Sequence, residues 1–397
     1  MDFKNAVSIV DKANIDPHYL ASEDYIEAQV YLLPYVDSLV LEVNNCNLNC
    51  SHCFRDYNPA LNPPDKHIWS KAISESEKFH KLILSNGEPL QEHLKDYLKE
   101  LKKFYSQSGG RRLSLNSNGK FASTLDKALE WLDFLHDIGF DMSKPHNDLS
   151  LTFGPTYNIP LTNIINLSRA AFEFYGNDLA NNAIIYIHRC YNDLKSELGT
   201  GKQILKELDA IFDFDSLEDV SVGNNIRLQF NRKDGLKLDY NVETMSNLGN
   251  AKQDPRFQSD FMKRPVRRIL PQDMSFIAGI NYALELRANG DINLSNLGLT
   301  ETTGSIYGNI KNDSLEDCLR QVYYDPIYFI HRLGGIRFLY HLARSINPNL
   351  LFELRSEINV AENLFADEKL IDTIKTEFKD PNDTADEYRK FIKTVDN

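Results

Sequence analysis

The chain has 397 residues, 42% of them hydrophobic and 25% charged, the balance of a globular protein with ample material for a core. A formal net charge of −13 repels phosphate backbones and anionic lipid, so neither a nucleic acid nor a membrane surface is expected as a partner. No run approaches the ~18 apolar residues that span a bilayer, and the opening MDFKNAVSIVDKAN lacks the basic start and apolar stretch of a secretory signal; a cytoplasmic setting is expected.

After an N-terminal extension over residues 1–36, short apolar runs alternate with longer amphipathic stretches. The runs are SLVLEV (38–43), KLILS (81–85), RRLSLNS (111–117), DLSLTF (148–153), AIIYIH (183–188) and DVSVG (219–223). Segments of helical spacing lie between them, among them LDKALEWLDFLHDI, LTNIINLSRAAFEFY and GKQILKELDAIFDF. Strand and helix alternating about six times predict an α/β fold with a parallel sheet, a partial (β/α)6 TIM-like barrel over residues 37–224. In such folds chemistry gathers at the carboxyl ends of the strands.

Beyond 224 the pattern changes to a small domain over 225–325. Asp234–Gly235 marks the turn of one hairpin and Asn289–Gly290 the turn of a second. Residues 326–397 read as helical, with YFIHRLGGIRFLYHLARSI forming a helix pair broken at Gly334–Gly335 and the acidic tail DPNDTADEYRK as solvated surface.

The cysteines are Cys46, Cys50, Cys53, Cys190 and Cys318, an odd number with three inside eight residues. Disulfide frameworks do not have that distribution, whereas metal and cluster sites do. In LEVNNCNLNCSHCF the spacing C-x3-C-x2-C comes directly after the first predicted strand. One loop can thereby give three thiolates to a cubane cluster and leave the fourth iron open for a ligand. Structural zinc, with His52 or a distant residue as fourth ligand, also accounts for the triad taken alone. Cys318, in the amphipathic SLEDCLRQV, reads as packing, and His188 as a core or rim residue.

The triad and the strand ends downstream of it resemble the radical S-adenosylmethionine superfamily, whose signature is C-x3-C-x-aromatic-C after the first strand. His52 stands at the aromatic position and Phe54 comes after the last cysteine. LSNGEPL, at the end of the second strand, is similar to the family's Gly-Gly-Glu-Pro element, with Asn86 in place of the first glycine. NSNG (116–119) is similar to its Thr-Asn-Gly, LSLTFGP (149–155) to its Ser-Leu-Asp-Gly, and AIIYIHRCYND to strands that close with an asparagine. The resemblance covers roughly residues 37–222. It implies one [4Fe–4S] cluster on Cys46, Cys50 and Cys53, with S-adenosylmethionine as second cofactor. His52, Phe54, Ser85, Asn86, Gly87, Glu88, Asn118, Ser150 and Asn192 become the candidate cofactor contacts. Thr152 stands where the family carries an acid.

FIAGINYALELRANGDINLSN and the later YGNIKNDSLEDCLRQ resemble the SPASM or twitch extension of peptide-modifying members. Ala278–Gly279, the turn at Gly290 and Gly308–Asn309–Ile310 are kept, but Phe276 and Ser295 replace the ligand cysteines. With only two thiols outside the triad, a lid or substrate platform without an auxiliary cluster is implied. Cys190, near the end of the fifth strand, is either a small buried residue or a donor that returns hydrogen to a substrate radical. The expected activity is C–H modification of a ribosomally made peptide, with a flavodoxin or ferredoxin as electron donor. A radical enzyme acting on a sugar or other small metabolite is the alternative, and a zinc-stabilised scaffold without catalysis is the reading from a different class. The residues before the first strand are too few for a winged-helix leader-binding module, which favours a small substrate or a separate recognition protein.

Overall fold

The computed structural model describes residues 1–16, 18–19, 22–32, 38–50, 53, 62–79, 81–107, 112–154, 157–190, 194–221, 226–244, 283–294, 306–350, 364 and 367–395. The chain opens with helices α1 (Phe3–Ile15) and α2 (Glu23–Leu32). Strand then helix repeats five times: β1 (Ser38–Glu42) with α3 (Lys66–Glu75), β2 (Lys81–Ser85) with the short α4 (Lys95–Leu98) and α5 (Leu101–Gln107), β3 (Arg112–Ser117) with α6 (Leu125–Asp137), β4 (Asn147–Phe153) with α7 (Leu161–Tyr175), and β5 (Ile184–Cys190) with α8 (Leu194–Phe212). Strands β6 (Ser216–Asp219), β7 (Ile226–Asn231), β8 (Lys237–Thr244), β9 (Ala283–Leu286), β10 (Asp291–Leu294) and β11 (Ile306–Asn309) come next. Helices α9 (Leu315–Tyr324), α10 (Pro326–Ile346), α11 (Glu368–Glu377) and α12 (Pro381–Val395) complete the described elements. They fall into two compact units, one of residues 40–77 and 81–259, the other of residues 1–39, 78–80 and 260–397.

In the first of these units the strands lie in the order β1-β2-β3-β4-β5-β8-β7-β6, an open sheet. Pairing is parallel from β2 to β5 and again between β5 and β8, as in Leu84 opposite Leu115 and Tyr186 opposite Tyr240. Alternation along each strand explains why the sheet is two-sided. Leu82, Leu84, Leu113, Leu115, Leu149, Leu151, Tyr186 and Tyr240 are fully buried, and the side-chain bond between Ser168 of α7 and Tyr186 (2.9 Å) marks this as the helix-covered face. On β3 and β4 the alternate positions carry polar side chains, with Ser114 beside Asp148 and Asn116 beside Ser150. Helix α6 shows the local rules: Thr124 caps its start, and Ala128, Trp131, Leu132 and Leu135 bury one stripe.

One strand differs from the sequence expectation. The sixth parallel place beside β5 belongs to β8, whereas the run around 219 yields β6, an antiparallel edge strand with all four residues exposed. SLED has no apolar alternation to bury under a helix. KLDYNVET has one, and its Leu238, Tyr240 and Val242 are at 0% exposure. The Asp234–Gly235 turn joins β7 to β8 as expected, with Gly235 at φ 97°.

In the other unit β9, β10 and β11 form an antiparallel meander that turns at Gly290 (φ 98°). A capping box of Ser314 and Asp317 starts α9, and Cys318 on its buried face is fully enclosed. Helix α10 breaks at Gly334–Gly335, where the backbone leaves helical geometry. The acidic tail is not simply solvated surface. It folds as α12, with Phe391 5.5 Å and Tyr388 5.2 Å from Phe338 between ring centroids, and Arg389 3.1 Å from Asp16. Ala385, Tyr388 and Phe391 recur every third residue and supply an apolar stripe inside a mostly charged run. No described helix is long and apolar enough to cross a membrane.

Candidate cluster and cofactor site

The triad leaves the end of β1. Beyond Glu42, the backbone N–H groups of Val43 and Asn44 donate to the carbonyls of Ser85 and Asn86 (both 3.0 Å), so the loops after β1 and β2 run side by side. That approach needs Gly87. Its φ is +132°, and a Cβ there would stand 2.7 Å from the Asn45 carbonyl oxygen and 3.0 Å from Val43 Cβ. Asn44 and Asn86 both adopt the left-handed region at φ 57°, a conformation asparagine tolerates. The Glu88 N–H then donates to the Asn45 carbonyl at 2.8 Å.

Glu88 is 1% exposed and accepts three hydrogen bonds: from Leu90 N–H (2.9 Å), from Ser117 Oγ (2.8 Å) and from Asn118 N–H (2.7 Å). Burial nevertheless pushes its carboxyl up to about 7, with those donors opposing the rise. Gln91 Nε2 donates to Asn45 Oδ1 (2.9 Å) and to the Glu88 carbonyl (2.8 Å). The loop after β3 joins through Asn118 Nδ2, which donates to Asn47 Oδ1 at 2.9 Å, and through Lys120 Nζ, which donates to the Asn47 carbonyl at 2.8 Å. Asn116 Nδ2 reaches Ser85 Oγ at 2.9 Å, and Ser150 lies opposite Asn116 in the register, so Ser85, Asn116 and Ser150 form one polar row across three strands.

Cys46, Cys50 and Cys53 are each half-buried. Burial raises the Cys46 thiol to about 12. A backbone hydrogen bond from Leu48 opposes this, the charges of Glu88 and Cys53 add to it, and Lys120 lowers it. Cys50 is likewise pushed up to about 12, by burial and then by Cys46 and Cys53. Cys46 and Cys50 thus sit, with Cys53 acting on both, where their bare thiolates are unfavourable, and a cationic partner would stabilise them. Among the described residues no group of three His, Cys, Asp or Glu side chains is arranged to hold a metal ion. The donor set, three soft thiolates on one loop, fits an iron–sulfur cluster in kind.

The loops therefore gather Cys46, Cys50, Cys53, Ser85, Asn86, Gly87, Glu88 and Asn118, with Ser150 in the adjoining row. His52, Phe54 and Asn192 lie outside the described residues, as do Phe276, Ala278, Gly279 and Ser295. Cys190 ends β5 opposite Thr244, and its side chain is likewise outside them. His188 is a core residue, 3% exposed, stacked on Phe153 at 5.2 Å and 3.1 Å from the Tyr240 hydroxyl, and burial lowers its proton affinity. Sequence reasoning missed Asn45, Asn47, Gln91, Ser117 and Lys120. The available signal was adjacency: Asn45 and Asn47 flank Cys46, Gln91 is three residues past Glu88, and Lys120 comes directly after NSNG.

No protein-family model and no curated protein matches the chain. Solved structures similar to it include SuiB of Streptococcus suis bound to the precursor peptide SuiA (14% identity, 83% of this chain and 71% of that chain, TM-score 0.40). BtrN in complex with AdoMet and 2-DOIA is 11% identical over 76% of this chain and 89% of that one, at TM-score 0.40. Native anSMEcpe with bound AdoMet is 13% identical over 85% and 99%, at TM-score 0.41. These superpositions are loose, and the functional reading rests on the residues of the site.

Proposed function

We propose that the chain is a radical S-adenosylmethionine enzyme that modifies a C–H bond of a ribosomally made peptide. The observation that carries the reading is the hydrogen-bonded pairing of the cysteine loop with the Asn86-Gly87-Glu88-Pro89 loop at the carboxyl ends of β1 and β2. Cys46, Cys50 and Cys53 would hold a [4Fe–4S] cluster. When bound, that cluster with S-adenosylmethionine on its open iron supplies a 5′-deoxyadenosyl radical able to take hydrogen from an unactivated carbon. The residues around it bind and orient. The carbonyls of Ser85 and Asn86 are already used by Val43 and Asn44, which leaves the Gly87 carbonyl, without a partner among the described residues, as the backbone acceptor for a cofactor amino group. The polar row of Ser85, Asn116 and Ser150 gives a polar substrate or cofactor hydrogen-bonding partners on the face away from the helices. A flavodoxin or ferredoxin would deliver the electron.

Anaerobic reconstitution with ferrous iron and sulfide tests this. The wild type should gain broad absorbance near about 400 nm and release 5′-deoxyadenosine when reduced with S-adenosylmethionine. Cys46→Ala, Cys50→Ala and Cys53→Ala should each lose both signals. Deoxyadenosine release that survives any of these substitutions would sink the proposal. Incubation with peptides encoded by neighbouring genes, then mass measurement, tests the substrate class.

A further inference from the structure

Asn47 lies between the first two cysteines and is held twice by the loop after β3. Its side-chain oxygen accepts from Asn118 Nδ2 at 2.9 Å, and its main-chain oxygen accepts from Lys120 Nζ at 2.8 Å. Both donors come from a turn that is itself fixed. Asn118 is 6% exposed, its N–H is anchored on Glu88 and its Oδ1 accepts from Lys120 N–H at 2.9 Å. The turn passes through Gly119 (φ +72°), where a Cβ would stand 3.0 Å from Ile164 Cδ1. Asn163 Nδ2 of α7 donates to the Gly119 carbonyl at 3.3 Å.

A rigid turn therefore presents an amide and an ammonium to a single residue of the cysteine loop. Upstream of the thiols the loop is pinned to the loop after β2 by Val43, Asn44 and Asn45. Its backbone also bonds locally, the Asn45 N–H to the Val43 carbonyl at 2.7 Å and the Cys53 N–H to the Cys50 carbonyl at 3.1 Å. The bonds to Asn47 are what join the Cys46–Cys50 segment to the loop after β3. A hydrogen bond donated by an ammonium is stronger than a neutral one, and ligands fixed before a metal centre arrives need less ordering when it binds. From this geometry we infer that Asn118 and Lys120 are positioning residues. They strap the Cys46–Cys50 loop through Asn47, so that the thiols are ordered before the cluster is assembled and are retained afterwards. The inference rests on the cluster reading of the triad; the strap itself does not.

Two measurements separate them. Hydrogen exchange of the peptide spanning residues 44–50, read in the cluster-free full chain, should be about three- to tenfold faster in Lys120→Met, the range expected of one exposed charge-assisted bond. Asn118→Ala should quicken it at least as much, and Lys120→Arg, which can still donate to the Asn47 carbonyl, should match the wild type. In the reconstituted protein, iron loss to a chelator should be faster in Lys120→Met by a similar factor and restored by Lys120→Arg. Unchanged exchange in Lys120→Met overturns the strap. Faster exchange with unaltered iron loss makes it a structural contact only and overturns the positioning role. A wild type that takes up no iron overturns the cluster reading instead, and exchange alone then judges the strap.

Discussion

The carboxylate of Glu88 accepts the backbone N–H of Asn118 at 2.7 Å, and this bond ties the loop after β2 to the loop after β3. The same carboxylate receives Leu90 N–H and Ser117 Oγ, so one side chain satisfies three donors in a fully buried place. Glu88→Ala would leave all three without an acceptor. Burying unpaired donors is expensive, and the apo protein should lose about 3 kcal/mol of stability in urea denaturation. A loss under about 1 kcal/mol would show that the loops are held by other means.

Glu88 also predicts a pH effect. Burial raises its carboxyl from 4.5 to about 7, so between those values the folded chain keeps a proton that the unfolded chain has released. The contribution of Glu88 to stability therefore falls as pH rises through this window and is flat above it, by about 3 kcal/mol in all. Glu88→Gln cannot titrate. The difference in unfolding free energy, wild type minus Glu88→Gln, should shrink by that amount from pH 4.5 to pH 7. A constant difference would mean that the three donors hold the carboxylate ionised throughout.

Gly87 is the point where the two loops touch. Alanine at this position combines an unfavourable backbone conformation with a Cβ 2.7 Å from the Asn45 carbonyl oxygen, an atom that cannot swing away as a side-chain end can. Strain and overpacking together should cost about 2–4 kcal/mol. Because Asn45 immediately precedes Cys46, the iron bound per chain after reconstitution should fall as well. Wild-type iron content in a folded Gly87→Ala protein would show that the cysteine loop tolerates the displacement.

Much of this arrangement could be read from the residues. Short apolar runs marked β1 to β5, and the Asp-Gly and Asn-Gly pairs marked the turns at Gly235 and Gly290, because both signals are local. The cysteine spacing and the Gly-Glu-Pro element are local too. The Lys120–Asn47 bond joins residues 73 apart and Gln91–Asn45 joins residues 46 apart, and such pairings exist only once the strands lie side by side. The place of β8 beside β5 was hidden for a related reason: a hairpin strand and a barrel strand have the same alternation. Helix α12 was obscured by charge, since three apolar residues among acids and bases signal burial only when Phe338 is there to meet them.

The His188–Tyr240 pair offers a test on the helix-covered side of the sheet. The Tyr240 hydroxyl lies 3.1 Å from His188 Nδ1, and Gly201 of α8 passes so close that a Cβ there would be 2.7 Å from that hydroxyl and 3.2 Å from Nδ1. Tyr240→Phe should cost about 1 kcal/mol for the lost bond and leave deoxyadenosine release unchanged, as a core position requires. Gly201→Ala gains helix propensity, worth about 1 kcal/mol, but must push the hydroxyl aside, so its net effect should be destabilising by about 1–2 kcal/mol. In the Tyr240→Phe background the obstructing oxygen is gone and only the imidazole contact remains. The double variant should therefore be more stable than the sum of the two losses predicts, by about 1 kcal/mol in a thermodynamic cycle. Strict additivity would show that α8 moves away from β8 instead of pressing on the hydroxyl.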